Sequence, residues 1–338
     1  MKKLLNIKTL LFLFLLVVSN FTLAQQETIR VMQYNILEYT NTSTGGSSST
    51  RDTYFRTIMS AVAPDIVTAE EIASQSDATN FLNDVLNSIS PTNQYDIGFV
   101  TNTSHSSDNN AIYYKHSKFT FISIQQLTNY SYGNHPIYLA QLYNNLTGDK
   151  IYIFVVHLTS NTYGSGAENK RNTEAGAINS MVTSLPQGSF YMASGDFNLY
   201  GGGSENAYST LLTKFVEPLS LPASSWTNST NYGMYYTLGT RNGGSLYGDT
   251  GGMQYKIDFI FNSQSIVDNG GIHYIGPFVT YGNDGNHHLK SINVSPTIPE
   301  GTTIADALYY ASDHLPVYAD YTFSIPSTIN PPYPGSIV

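Results

Sequence analysis

Hydrophobic and polar positions alternate with two different periods along the chain, and the switches between them mark out its elements. Residues 28–36 alternate like a half-buried strand that ends at Asn35. Residues 51–61 change to helical spacing, with Phe55, Ile58, Met59 and the adjoining Val62 on one face. Pro64-Asp65 interrupts that pattern before an apolar strand, Ile66-Val67-Thr68-Ala69, which runs into Glu70-Glu71. A second helix is predicted over 76–89, followed by strands at 95–100, 111–114 and 119–124. Residues 137–143 and 151–157 read as a hairpin turned through Asn144-Asn145 and Gly148-Asp149, with His157 closing its second strand.

Further along, an amphipathic helix is predicted over 167–185, carrying Lys170, Arg171 and Glu174, with Arg171 expected in a surface ion pair. Phe190-Tyr191-Met192 reads as a short buried strand, which Gly195 is expected to break with a sharp turn. While the chain stays extended, Asp196 and Asn198 project to the same side. Residues 255–261 form another strand, with Asp258 set inside an apolar run. The stretch 269–310 is rich in Gly, Asn and Pro and reads as a long irregular insertion, with His287-His288 in a solvated loop. A last strand is predicted at 317–323, and a Pro/Ser-rich tail starts at Ser324. Strands outnumber helices, no linker divides the chain, and polar residues collect where strands end. That combination predicts one α/β sandwich with a site along one rim.

The start of the chain stands apart from this pattern. Lys2, Lys3 and Lys8 precede the apolar run 10–18, and Thr22-Leu23-Ala24 offers small residues for cleavage. Residues 1–24 therefore read as an export signal, which makes the mature protein secreted or periplasmic. The remaining chain divides into a catalytic domain over 25–323 and a tail over 324–338. Cysteine is absent, so an exported protein of this kind stands on its core and on any bound metal. Of the 15 Lys and Arg, three lie in the signal, which leaves 12 against 24 Asp and Glu. Such a surface repels polyanions, so cations have to bring in a phosphate ester.

The polar strand-end residues are Asn35, Glu71, His157, Asp196, Asn198, Asp258, Asp313 and His314. Oxygen donors dominate, as Mg²⁺ or Ca²⁺ prefers, and the histidine and cysteine clusters of zinc sites are missing. No Gly-x-Ser-x-Gly elbow offers a serine nucleophile. Asp196 supplies a charged acceptor and Asn198 an amide, a pairing suited to orienting a water and holding an anionic oxygen. An Asp-x-Asn after a strand also serves as an ordinary turn or helix cap. Two histidines beside several carboxylates and an oxygen-bound metal suit hydrolysis of a phosphoester by activated water.

Six segments carry a resemblance: Met32-Gln-Tyr-Asn35, Pro64-Asp-Ile-Val-Thr-Ala-Glu-Glu71, Val155-Val-His157-Leu, Gly195-Asp-Phe-Asn198, Lys256-Ile-Asp258-Phe-Ile and Ser312-Asp-His314-Leu-Pro-Val. In order, across about residues 29–323, they resemble the endonuclease/exonuclease/phosphatase superfamily. That superfamily includes pancreatic-type deoxyribonucleases, abasic-site endonucleases, inositol polyphosphate 5-phosphatases and bacterial sphingomyelinases. The resemblance implies a four-layer α-β-β-α sandwich, two packed β-sheets flanked by helices. It implies Asn35, Glu71 and Asp313 around a metal, Mg²⁺ first, with Mn²⁺ or Ca²⁺ as alternatives. Glu71 is implied over Glu70 because it directly precedes the apolar Ile72, and Glu70 stands where the family commonly has Gln.

The resemblance further implies that Asp196 orients or deprotonates water and that Asn198 contacts the phosphate. Asp258 would keep His314 protonated, and His157 would be the second histidine, with Asp108 as its candidate acidic partner. The implied activity is that of a low-specificity nuclease on DNA or RNA, acting as a monomer without a stable protein partner. A sphingomyelinase-like lipid phosphodiesterase and a small-molecule phosphatase use the same site and stay open as alternatives. A binding protein descended from such enzymes would show gaps among these residues, and none is present.

Overall fold

The period-2 alternation becomes two β-sheets packed face to face. The computed structural model describes residues 25–40, 48–103, 108–128, 135–160, 166–268 and 271–325. The predicted export segment and nearly all of the predicted tail lie outside them. Strands β1 (Gln26–Tyr39), β2 (Ile66–Ile72), β3 (Tyr95–Phe99) and β4 (Asn109–Lys115) belong to the first sheet. Strands β5 (Phe119–Gln126), β6 (Ile137–Asn144), β7 (Lys150–His157), β8 (Phe190–Asp196) and β9 (Asp258–Asn262) form the second, in that order across it. Strands β10 (Ile272–Tyr274), β11 (Val279–Thr280) and β12 (Val317–Ser324) return to the first, whose order is β10-β12-β1-β2-β4-β3 with β11 also on β12.

Helices Ser48–Val62, Gln75–Asn80 with its π-helical continuation Phe81–Asn87, and Thr302–Ala311 cover the outer face of the first sheet. Helices Ala167–Ser184 and Asn206–Leu211 cover the second, so the layers run helix, sheet, sheet, helix. β1 and β2 run parallel, as do β7 and β8, and all four end at one rim. The antiparallel β9 and β12 begin there.

Alternation explains why that rim is polar. In β1, Ile29 and Val31 face the second sheet, whereas Met32, Tyr34 and Ile36 pack under the helices. The next two inter-sheet positions toward the rim are Gln33 and Asn35. In β8, Met192 is inter-sheet and is followed on that face by Ser194 and Asp196. Thr68 and Ser194 join hydroxyls across the gap at 2.7 Å, which satisfies both without water. Each apolar side chain buried in the middle of this layer contributes about 1.5–3 kcal/mol, which offsets the cost of the polar end.

Four local expectations are corrected. Gly195 lies within β8, paired with Val156 and Phe259, and does not break it. A Cβ there would sit 1.8 Å from the Val156 carbonyl oxygen, so close approach of β7, not a turn, demands the glycine. The chain turns at Asn198, whose φ of 49° also removes the extended geometry expected between Asp196 and Asn198. Asp258 opens β9 instead of lying inside it. The 269–310 stretch contributes β10, β11 and most of a helix, and His287 is fully buried between Asp284 and the Val294 carbonyl.

Candidate active site

Strand ends deliver the predicted residues to one pocket of about 540 Å³. Glu71, His157, Asp196, Asn198, Asp313 and His314 line it, and Asn35 and Asp258 stand directly behind them. Asp196 is the centre. Its Oδ1 accepts the Asn198 backbone N–H at 2.8 Å. Its Oδ2 is faced by three nitrogens at longer range: Asn35 Nδ2 at 3.4 Å, His157 Nε2 at 3.7 Å and His314 Nε2 at 3.8 Å. Both imidazoles stand just beyond hydrogen-bond length of Oδ2 and line the pocket beside it.

Each histidine has a carboxylate at its far nitrogen. His314 Nδ1 lies 2.9 Å from Asp258 Oδ2, and His157 Nδ1 lies 3.8 Å from Asp108 Oδ1. Burial opposes charge on His157, but Asp108, Asp196 and Glu71 outweigh it and lift the group to about 10. Burial likewise opposes charge on His314, and the Asp258 carboxylate outweighs it, so His314 stands well above the usual histidine range. Burial pushes the Asp196 carboxyl up to about 6, with the Asp258 charge adding to the rise. The surrounding carboxylates therefore favour the charged form of both imidazoles beside Asp196.

The supporting contacts come from far along the chain. Buried Arg51 donates to the carbonyls of Ile36 and Ala311, and Ser312 Oγ donates to the Asn35 carbonyl at 2.8 Å. These bonds tie the end of β1 to the segment carrying Asp313 and His314. Glu174 accepts from the Thr159 N–H and hydroxyl, which clamps the residues after His157. Arg171, expected at the surface, is buried in a bidentate pair with Glu205 at 2.7 and 2.8 Å and donates to the Thr159 carbonyl. It serves that clamp, since its guanidinium is committed inside the fold.

The two neighbouring acids of β2 part company. Glu70 follows the alternation inward, fully buried, where Gln33 Nε2 donates to both Glu70 Oε2 and Asp258 Oδ1 at 2.8 Å. A register shift between Ala69 and Ile72 and a φ of 59° turn Glu71 into the pocket instead. Burial pushes Glu71 up to about 7, and Asn35 Nδ2 donates to its Oε1 at 2.8 Å. Asn35 Oδ1 accepts from the Leu37 N–H, so Asn35 presents its donors, not its oxygen, to the acids. Asp313 Oδ1 is buried with no hydrogen-bond partner. A carboxylate oxygen with no hydrogen bond, faced only by His314 Nε2 at 3.9 Å and close enough to Glu71 to act on its charge, suits a hard divalent cation, so Glu71 and Asp313 fit the implied metal.

His135 carried no mark in the sequence. It lines the pocket, bonds Asp108 through Nδ1, and stacks on His157 with centroids 3.9 Å apart. Donor atoms of Asp108, His135 and His157 lie within 4.8 Å of one another. Asn198 Nδ2 donates one hydrogen to the Leu158 carbonyl at 2.8 Å, leaving a second for the pocket. Among the described residues, no lysine or arginine lines the pocket.

No protein-family model and no curated protein matches the sequence. Solved structures do match. D. rerio TDP2 complexed with single-strand DNA product superposes with a TM-score of 0.57 at 13% identity, covering 87% of this chain and 99% of that one. A Bacteroides thetaiotaomicron endonuclease/exonuclease/phosphatase family protein gives 0.57 at 15%, over 88% and 99%. The mannosyl-6-phosphatase of the same organism gives 0.57 at 15%, over 87% and 99%. At these identities the likeness is one of fold.

Proposed function

From a chain with the endonuclease/exonuclease/phosphatase fold, we propose a divalent-cation-dependent hydrolase of phosphoric esters. The observation that carries this is the Asp196 carboxylate faced by two imidazoles, His314 backed by Asp258 at 2.9 Å and His157 by Asp108, shared with His135, at 3.8 Å. Glu71 and Asp313 would hold the cation, with Asn35 orienting Glu71. When bound, the cation neutralises charge on a phosphate oxygen and makes phosphorus more electrophilic.

The chain's own residues supply the rest. Asp196 accepts a hydrogen bond from the attacking water and takes up its proton as the water oxygen bonds phosphorus, the ester P–O bond breaks and the departing oxygen takes a proton from solvent; the Asn198 N–H keeps that carboxylate aimed. His157 and His314, already charged, stabilise the negative charge that grows on the phosphoryl oxygens. Asp258 and Asp108 hold those charges in place. Loss of a positioned base typically costs about 10²–10⁴-fold in rate, and Asp196→Asn should fall in that range while remaining folded.

Nucleic acid is the first substrate, cleaved with low sequence specificity. A fold neighbour bound to a DNA product supports this reading. A small phosphate monoester is the second reading, supported by the mannosyl-6-phosphatase neighbour. No described helix is long and apolar enough to cross a membrane. The leader-like residues 1–24 support export, with 25–323 as the catalytic unit, acting as a monomer. The test is an activity panel on purified protein with Mg²⁺, Mn²⁺ or Ca²⁺. Plasmid DNA, RNA, bis-p-nitrophenyl phosphate, p-nitrophenyl phosphate and sphingomyelin are compared. Hydrolysis of monoesters or sphingomyelin without DNA or RNA would reject the nuclease, and hydrolysis of none would reject the enzyme.

A further inference from the structure

The glycine-rich loop 239–252 takes hold of Asp313 at two separate points. At its start, the N–H groups of Gly239 and Thr240 donate to the Asp313 carbonyl at 2.8 and 3.1 Å, and Thr240 Oγ1 donates to the Ser312 carbonyl at 2.7 Å. The neck is closed by Gly252 N–H to the Arg241 carbonyl at 2.7 Å and Gly243 N–H to the Thr250 carbonyl at 2.9 Å. At its tip, the Asp249 N–H donates to Asp313 Oδ2 at 2.6 Å. Arg241 bonds the carbonyls of Tyr247 and Tyr309, which anchors the tip to the helix preceding Asp313.

Gly248 is what allows the tip to come so close. Its φ is 101°, and a Cβ there would meet Asp313 Oδ2 at 2.5 Å and Cγ at 2.7 Å. Any side chain at 248 would push the carboxylate out of its present rotamer. In that rotamer Oδ2 is consumed by the loop, and Oδ1 is left buried with no hydrogen bond, faced by His314 Nε2 at 3.9 Å. One oxygen fixed by an amide and the other left open is how a protein presents a monodentate carboxylate to a cation.

We propose that loop 239–252 is the outer wall of the cation site, with Gly248 and the Asp249 amide as positioning groups that set the Asp313 rotamer. This rests on the reading of Asp313 as a cation ligand, and the measurement separates the two. Mn²⁺ affinity is measured by calorimetry on the purified protein without substrate, for wild type, Gly248→Ala and Gly243→Ala. Gly243 has a φ of 76° in the same loop, but a Cβ there meets nothing within 4 Å, so it reproduces the backbone strain without the Asp313 contact.

Gly248→Ala should weaken Mn²⁺ binding by about 10- to 100-fold, the usual cost of losing a group that orients a ligand. Gly243→Ala should stay within about 3-fold of wild type, since only local strain is added. Equal losses in the two variants, or none in Gly248→Ala, would overturn the loop's role while leaving the ligand reading intact. Absence of Mn²⁺ binding in wild type would overturn both. Should Gly248→Ala fail to fold, Gly248→Asn is read instead, because Asn tolerates positive φ and still carries the Cβ.

Discussion

Asp258→Asn separates a charged imidazole from a merely oriented one. His314 Nδ1 stands 2.9 Å from Asp258 Oδ2 with both groups buried. A unit charge pair at that distance interacts by about 6 kcal/mol at an effective dielectric of about 20, which offsets the burial that disfavours each charge alone. Asparagine keeps a hydrogen bond to the ring and loses that attraction, so His314 should fall back toward the ordinary histidine range. Less of the ring would then be protonated as pH rises, so the loss should be clearly larger near pH 8 than near pH 6. Asp196 is pulled both ways, because the Asp258 charge raises it and the His314 charge lowers it. In wild type, activity should rise through about pH 6 as Asp196 loses its proton and fall through about 10 as His157 does. The assay is the pH profile of bis-p-nitrophenyl phosphate hydrolysis at saturating Mg²⁺. A variant profile parallel to wild type, lowered equally everywhere, would refute the charge argument and leave Asp258 as an orienting group only.

Activity should vanish in EDTA and return with Mg²⁺ or Mn²⁺, and Glu71→Gln should weaken that dependence more than Glu70→Gln, because only Glu71 reaches the pocket; the reverse ranking in a metal titration would show the wrong acid was chosen. Gly195→Ala should destabilise by more than about 3 kcal/mol in chemical denaturation, since its Cβ meets backbone and not a movable side chain. A loss below about 1 kcal/mol would mean β7 and β8 can part at that point. Glu205→Gln should cost about 3–5 kcal/mol in urea unfolding, because it strands the Arg171 charge inside the fold. Unchanged stability would show that water reaches that pair.

The layers and the rim are legible in the pattern of alternation alone. A period of two assigns every strand residue to one face, so Ile29, Val31, Gln33 and Asn35 could be read as one line that turns polar toward its end. The same reading collected all eight strand-end residues that the fold brings into or directly behind one pocket. Alternation fails where the backbone leaves the β region. It sends Glu71 to the outer face, and only the register shift and left-handed φ, imposed by pairing with β1 and β4, return it to the pocket. Gly195 looked like a turn because a glycine's local meaning is a bend, whereas here it answers to a strand forty residues earlier. Arg171 looked solvated because helix periodicity says nothing about the carboxylate of Glu205 waiting beneath it. His135 and Gly248 carry no periodicity at all. Their roles arise from which loops meet over the rim, and those meetings join residues 27 and 65 positions apart in the chain, His135 with Asp108 and Gly248 with Asp313. Local pattern records which way a side chain faces, and long-range packing decides what it finds there.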